Sequence, residues 1–350
     1  MKATLQQPKF LFIRRDNIGD LVCTTPTIAA LRQAFPAAYI AALATSYNVA
    51  VLDRNPDLDA VFAYTKLKHR PAGQSRLRTL VGRVGLLLQL RKQKFDYVLL
   101  ASPNYQPRLI RLGRWLSRKG LAGFVDASHA NDARFAHRIV ESEHPLHEVV
   151  DTFRLLTCFG IQGPPPSCRI TPDEVEVARL ANTLSAQHWH ATGPLIGLHI
   201  SARKESQRWP ARAFADLVQR LHQDHGAKFL LFWSPGSSDH PLHPGDDDKA
   251  TEILNMVIGH PVLACPTQQL HELIAGLSLC NAVICSDGGA MHLAAALDKP
   301  IVCFFGRSDA TRWHPWGVPY VLLQKESREV SDISVEEAAA AFTQLVAIQR

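Results

Sequence analysis

A chain of 350 residues is long enough to divide its apolar residues between two cores. With 46% hydrophobic and 20% charged residues it has the composition of a folded globular protein, not a disordered one. No apolar run approaches the roughly 18 residues of a membrane-spanning helix, the start Met1–Pro8 lacks the apolar stretch of a signal peptide, and a net charge of +6 points toward anionic partners.

The first element in chain order is a short apolar strand, Phe10 to Ile13. It runs into a polar loop, Arg14-Arg15-Asp16-Asn17-Ile18-Gly19-Asp20, and then into a helical run from Leu21 to Ala34. Strand, polar loop and helix form the first unit of a nucleotide-type α/β domain. The loop lacks G-x-G-x-x-G, so no dinucleotide fingerprint is present. It places Asp16 and Asp20 at the carboxyl end of the strand, where open parallel sheets hold ligands. Capping of the following helix is the other reading of Asp20, and the two are compatible. Strands follow at Tyr39 to Ala44, Val61 to Tyr64 and Tyr97 to Ala101, with a helix from Leu77 to Lys92. This alternation predicts a parallel sheet covered on both faces.

Between Tyr64 and Gly120 the chain carries 14 basic residues, beginning with Lys66, Lys68 and Arg70, against one acidic residue, Asp96. Such an excess suits an anionic membrane surface or an anionic substrate, or is a basic face without function. Nucleic acid is disfavoured, because the basic residues lie among apolar ones at helical spacing and no binding motif accompanies them.

A helix from His147 to Cys158 closes the first half. Gly160-Ile161-Gln162-Gly163-Pro164-Pro165-Pro166 cannot continue it, and the linker is expected there. The expected division is therefore 1–162, 163–333 and a last helix over 334–350. Thr171-Pro172-Asp173-Glu174 is a helix start. Strands are then predicted at Leu195 to Ile200, Phe229 to Trp233, Val262 to Cys265, Ala282 to Cys285 and Ile301 to Phe305. Helices fall between them at Ala211 to Gln223, Lys249 to Ile258, Leu270 to Leu277 and Ala290 to Leu297. Two such domains facing each other would leave a cleft between the carboxyl ends of their strands. Ser334-Val335-Glu336-Glu337 opens the last helix with a capping box.

After the strand Ala282 to Cys285, the run Asp287-Gly288-Gly289-Ala290-Met291-His292 has the form of a phosphate-holding turn. Glycines let the backbone approach a ligand, and the N–H groups and dipole of the first helical turn favour negative charge. Asp287 then contacts a sugar hydroxyl or caps the helix, and His292 faces the same ligand. An ordinary strand–helix turn is the plainer reading. Asp57-Leu58-Asp59 matches an Asp-x-Asp metal motif, but it follows Asn55-Pro56 and reads as turn chemistry. Asp246-Asp247-Asp248 fits capping, His240 to His243 reads as loop surface, and the 16 histidines have no metal-site spacing. No metal or other cofactor is expected. The seven cysteines are scattered, and Cys23, Cys265, Cys285 and Cys303 lie in apolar runs, which reads as reduced core thiols.

Asn17-Ile18-Gly19-Asp20 with Thr24-Thr25-Pro26, Ser201 through Trp209-Pro210, and Asp287-Gly288-Gly289 with His292 together resemble the ADP-heptose:lipopolysaccharide heptosyltransferase family, glycosyltransferase family 9. The resemblance extends from about residue 9 to about residue 320. It implies an α/β GT-B fold, two Rossmann-like domains with the acceptor on the first and the nucleotide sugar on the second. It implies metal-independent, inverting transfer of a heptose or related sugar to a lipopolysaccharide core acceptor. Asp20 takes the base position, with Asp16 as rival or loop support beside Asn17 and Gly19. Ser201, Arg203, Lys204, Gln207, Arg208, Ser234, Asp287, Gly288, Gly289, Ala290, Met291 and His292 take the donor side. The family commonly has lysine where this chain has Gln207, so the charge would come from Lys204, Arg203 or Arg208, with Arg307 and Arg312 as further candidates. Trp233 is a base-stacking residue or a core aromatic, and His271-Glu272 lines the site or simply starts a helix. The resemblance also implies a cytoplasmic protein at the inner-membrane surface and a C-terminal helix that crosses back to the first domain. A different nucleotide sugar or surface glycan, a nucleotide-sugar 2-epimerase and a catalytically inactive sugar-nucleotide-binding relative are the alternatives.

Overall fold

The computed structural model describes residues 7–65, 76–187, 192–238 and 245–348. Lys66, Lys68, Arg70 and the His240 to His243 loop lie outside the described residues. The chain divides into two units, one ending at Thr171 and the other beginning at Pro172.

The first unit runs β1 (Lys9–Ile13), α1 (Ile18–Val22), α2 (Thr25–Ala34), β2 (Tyr39–Thr45), β3 (Ala60–Tyr64), α3 (Arg76–Lys92), β4 (Tyr97–Leu100), α4 (Pro107–Leu116), β5 (Gly120–Val125), β6 (His137–Val140) and α5 (Glu148–Phe153). Among the described residues its strands form one sheet in the order β3-β2-β1-β4-β5-β6, every pairing parallel. Parallel strands are covered on both faces, and so they read as unbroken apolar runs. Phe10, Leu11, Phe12 and Ile13 are each at most 1% exposed.

The single helix expected over Leu21 to Ala34 is two, α1 and α2. Pro26 has no N–H to donate and its ring would strike the carbonyl of Val22, so one continuous helix is excluded. Thr24 sits at the break and donates its hydroxyl to the Asp20 carbonyl at 2.9 Å. The strand β5 was not predicted, because Gly120 and Gly123 weaken a strand pattern. Packing explains Gly123, since a Cβ there would lie 2.7 Å from the Phe135 ring. The division also falls later than the expected boundary at 162. Past the prolines the chain still adheres to the first unit: Cys168 and Ile170 are buried, and the Arg169 N–H donates to Thr25 Oγ1 at 3.1 Å.

The second unit runs α6 (Glu174–Ala186), β7 (Leu195–His199), α7 (Ala211–His225), β8 (Lys228–Trp233), α8 (Asp247–Met256), β9 (Val262–Pro266), α9 (Leu270–Leu279), β10 (Ala282–Ser286), α10 (Gly289–Ala296), β11 (Ile301–Phe305), α11 (Ala310–Trp313), β12 (Tyr320–Gln324) and α12 (Val335–Ile348). Its sheet is also parallel, in the order β12-β11-β10-β7-β8-β9. Counted within its own unit, each sheet has the doubly wound order 3-2-1-4-5-6. The order reverses between β1 and β4 in one sheet and between β7 and β10 in the other. Those two points are where such sheets bind ligands.

The last helix does not leave the second unit. Ala338, Ala341, Phe342 and Leu345 of α12 are buried in one core with Leu217, Val218 and Phe304. Its apolar face is spent there, which corrects the expectation of a crossing helix. Its start is the predicted capping box, with the Ser334 N–H donating to Glu337 and the Glu337 N–H to Ser334 Oγ. Cys168, Cys265, Cys280, Cys285 and Cys303 are buried thiols, and burial pushes Cys265 up to about 12. No helix among the described residues is long and apolar enough to cross a membrane.

Candidate functional site

In the first unit, the loop leaving β1 is built on the buried guanidinium of Arg14. Its Nη2 donates to Asp20 Oδ1 at 2.8 Å and to Glu148 Oε1 at 2.6 Å. Its Nη1 donates to the Ala101 carbonyl, just past β4, and reaches Thr152 Oγ1 at 3.5 Å. Nε lies 3.0 Å from Asp16 Oδ2, an ion pair that is not aligned as a hydrogen bond. Asp16 Oδ2 also accepts from Ser102 Oγ at 2.6 Å. The loops after β1 and β4 are thereby joined at the point where the strand order reverses, and one cation is set among three carboxylates.

Asp20 is the third residue of α1. Its Oδ2 accepts the Asn17 N–H and the Asn17 side-chain amide, both at 2.9 Å, so the N-cap is Asn17 and Asp20 is its reciprocal partner inside the first turn, not the N-cap expected from sequence. Asn48 Nδ2 supports the loop through the Asn17 carbonyl at 3.1 Å, and Gly19 is buried beneath it. Burial by itself would raise the Asp20 carboxyl, but the Arg14 charge and the two Asn17 hydrogen bonds outweigh it and hold the group below the ordinary carboxylate value. Burial opposes the Arg14 charge in the same way, and Glu148, Asp20 and Asp16 reverse that effect, raising its pKa. Asp20 is thus an ionised carboxylate at neutral pH with a side chain 13% exposed.

In the second unit the same topology brings the β7 and β10 loops together. Gln207 is buried, and its amide donates to Asp287 Oδ2 at 2.7 Å and to Ser308 Oγ, after β11, at 2.8 Å. Both amide hydrogens are spent inside the protein, so Gln207 positions Asp287 instead of presenting donors to a phosphate. Trp209 is 1% exposed and anchors the same loop by donating Nε1 to the Ile333 carbonyl at 2.8 Å. Gly288 has φ +155° and ψ −169°, a conformation open only to glycine, and a Cβ there would face open space. The backbone from Gly288 through Gly289, Ala290 and Met291 therefore stands at an unobstructed helix start, whose first N–H groups have no intrahelical acceptor. His292 is buried, its ring edge-on to Trp313 at 5.9 Å.

The remaining donor-side candidates separate. Ser201 Oγ accepts the Ser234 N–H at 2.9 Å, which ties the β7 loop to the β8 loop. Arg203 and Lys204 are exposed. Arg208 donates Nε to the Ala202 carbonyl at 3.1 Å. Arg307 is taken by Glu329, with its Nε at 3.0 Å, and Arg312 lies over the Trp313 ring at 5.6 Å. Trp233 is a core aromatic whose indole N–H donates to Asp247 Oδ1 at 2.7 Å. Glu272 accepts the Gln268 and Gln269 N–H groups, the plain helix-start role.

Sequence reading missed Lys249, whose Nζ donates to the Ile200 carbonyl at 3.0 Å. Burial lowers it to about 8, and burial with the Lys249 charge lowers the nearby His199 to about 4. Arg14 and Glu148 were missed as well. Arg14 was visible as a charge inside a strand–loop junction, whereas nothing near Glu148 in sequence announces its partner 134 residues away.

Asp57 and Asp59 do structural work. The Asp57 N–H donates to Asn55 Oδ1 at 2.9 Å, and Asp59 Oδ2 accepts from Ile40 N–H at 2.7 Å and Arg32 Nη2 at 2.5 Å. Asp247 holds the β8 loop through Trp233 and the Gly236 N–H. Among the described residues no three His, Cys, Asp or Glu side chains gather as a metal site.

Comparison with known proteins bears on this geometry. The family described as glycosyltransferase family 9 (heptosyltransferase) matches residues 83–339. Lipopolysaccharide heptosyltransferase 2 of Salmonella typhimurium is 24% identical over 311 residues, covering 86% of this chain and 83% of its own. The solved structure of a family 9 glycosyl transferase from Veillonella parvula superimposes with TM-score 0.81 at 20% identity, over 99% of each chain. That of Escherichia coli ADP-heptose lps heptosyltransferase II gives 0.74 at 18% identity, over 97% of this chain and 99% of the other. Each unit is a parallel six-stranded sheet with helices, and the fold is the GT-B fold of those structures.

Proposed function

The chain belongs to glycosyltransferase family 9, and we propose that it transfers a heptose from ADP-heptose to a lipopolysaccharide core acceptor with inversion. The observation that carries this reading is Asp20, held ionised by Arg14 and Asn17 at the edge of the first unit's sheet. Each carboxylate oxygen has about two lone-pair sites. Oδ2 uses both on Asn17, whereas Oδ1 uses one on Arg14, so the acceptor hydroxyl donates to Oδ1. As the hydroxyl oxygen attacks the anomeric carbon, its proton passes to Asp20 and the bond to the diphosphate breaks on the opposite face. The diphosphate gathers negative charge as it leaves. The N–H groups from Gly288 to Met291 and the dipole of α10 suit that charge, and Asp287 suits a sugar hydroxyl.

The donor and acceptor classes follow the names of the relatives, which include an ADP-heptose lps heptosyltransferase. A lipid-held acceptor places the enzyme at the cytoplasmic face of the inner membrane. Purified protein is expected to release ADP from ADP-heptose only when a lipopolysaccharide core acceptor is present, and equally well with chelator. Loss of release on chelation overturns the metal-independent mechanism. Release from a UDP- or GDP-sugar alone replaces the donor.

A second reading, a different nucleotide sugar, draws on Gln207. Gln207→Leu removes both donors from Asp287 and Ser308 and is expected to cost about 1–3 kcal/mol of stability and to raise the donor KM. Gln207→Lys replaces the amide donor on Asp287 with an ammonium donor and is expected to preserve the donor KM. Melting curves and donor titrations test both. An unchanged Gln207→Leu protein would show that Asp287 needs no such support.

A further inference from the structure

The helix α3 is apolar on two opposite faces. Inward, Leu86 and Leu90 pack with the first unit's core. Outward, Leu77, Val81, Val84 and Leu88 are 72, 63, 57 and 53% exposed. Their spacing of i, i+4, i+7 and i+11 puts them in one stripe along the helix. A single exposed leucine is ordinary, but four in line mark a surface made for contact. Gly82 is exposed and Gly85 partly so, and a Cβ on either would meet nothing within 4 Å.

Charge around the stripe is of one sign. Arg78, Arg91 and Lys92 of α3 are exposed, as are Arg108 and Arg111 of the neighbouring α4. From 76 to 119 the one carboxylate is Asp96, and it is already taken by Lys119 Nζ at 3.2 Å and the Lys9 N–H at 2.9 Å. Trp115, 42% exposed at the end of α4, lies under the Arg91 guanidinium at 5.5 Å. An amphipathic aromatic with a basic rim suits a lipid–water boundary.

We propose that α3, flanked by α4, is the surface on which this protein meets an anionic phospholipid bilayer. The apolar stripe enters the interfacial region and the guanidinium and ammonium groups pair with lipid phosphates. A second copy of the chain suits this face poorly. A two-fold contact would set the same cations against each other, and neither α3 nor α4 carries a carboxylate of its own to balance them. The inference deepens the functional reading by naming where a lipid-held acceptor is met. It rests on that reading for its purpose only, because lipid binding is measured with no donor or acceptor present.

The test is co-sedimentation of the full chain with vesicles of phosphatidylethanolamine and phosphatidylglycerol, with phosphatidylcholine vesicles as control. Binding is expected on the anionic vesicles alone and weakens as salt rises. Leu77→Ser/Val81→Ser/Val84→Ser/Leu88→Ser is expected to lower partitioning roughly tenfold or more, with unchanged melting and unchanged transfer to a deacylated, soluble acceptor. Arg108→Glu/Arg111→Glu provides an independent electrostatic variant and is expected to lose anionic binding in the same direction. Equal binding to both vesicle types, or full binding by both variants, overturns the proposal. So does a dimer in light scattering that the quadruple variant converts to monomer. If the native protein binds vesicles but never releases ADP from ADP-heptose with any acceptor, the functional reading falls and the membrane surface stands.

Discussion

Replacing Arg14 with alanine is expected to destabilise the first unit by about 3–5 kcal/mol, the cost of removing one partner from a buried ion network. In a unit of this size that lowers the melting temperature by on the order of 10 °C. The effect is large because the guanidinium has no substitute. It meets Asp20 and Glu148 at 2.8 and 2.6 Å, lies 3.0 Å from Asp16, and also donates to the Ala101 carbonyl. Without it three carboxylates face one another with Glu148 fully enclosed. Burial then raises the Asp20 carboxyl without the Arg14 charge that opposes it. The loss is therefore greatest at neutral pH and shrinks as acid protonates Asp20. Arg14→Lys is expected to recover little, since one ammonium cannot span the Asp20, Glu148 and Ala101 positions of a planar fork. Thermal melts of the native protein and both variants from neutral to mildly acidic pH test this. A shift of only a degree or two in Arg14→Ala would mean that the cluster is not what holds the loop.

The parallel sheets were legible because strands covered on both faces have one signature, and Phe10 to Ile13 or Ala282 to Cys285 admit few other readings. The loop from Arg14 to Asp20 and the Asp287 turn were legible for a related reason. Glycine and a short acidic residue between a strand and a helix mark the ligand edge of such a sheet. What stayed hidden was set by packing. Gly120 and Gly123 disguise β5, and only the approach of Phe135 explains Gly123. The last helix looked free to cross because its apolar face does not say which core it fills. Gln207 looked like a weakened phosphate ligand, since its pairing with Asp287, 80 residues away, has no local trace. Asp20 was readable in sequence as a candidate base, but the reason it stays charged was not, because Glu148 and Ala101 come to Arg14 only through the fold.

Asp20→Asn is expected to lower kcat by about 10²–10⁴, the usual worth of a positioned acid–base group, with the donor KM unchanged. The lower part of that range is the expected one. A carboxylate held below its ordinary pKa is a weaker base, so less of the barrier rests on proton transfer. The fold should survive, because Arg14 keeps Asp16 and Glu148. The pH dependence has a definite sign. The folded carboxyl lies below its ordinary value of 3.8, so the charged form is complete above that value and is lost only as pH falls further. Any acidic limb in kcat/KM between about pH 5 and 7 therefore belongs to another group and should persist in the residual activity of Asp20→Asn. Asp16 is the control. Its Oδ2 is occupied by Ser102 and Arg14 and its side chain is 31% exposed, so Asp16→Asn is expected to loosen the loop and cost far less in kcat. If Asp16→Asn abolishes turnover while Asp20→Asn keeps more than about a tenth of it, the base is Asp16, and Asp20 is left as the capping partner of Asn17.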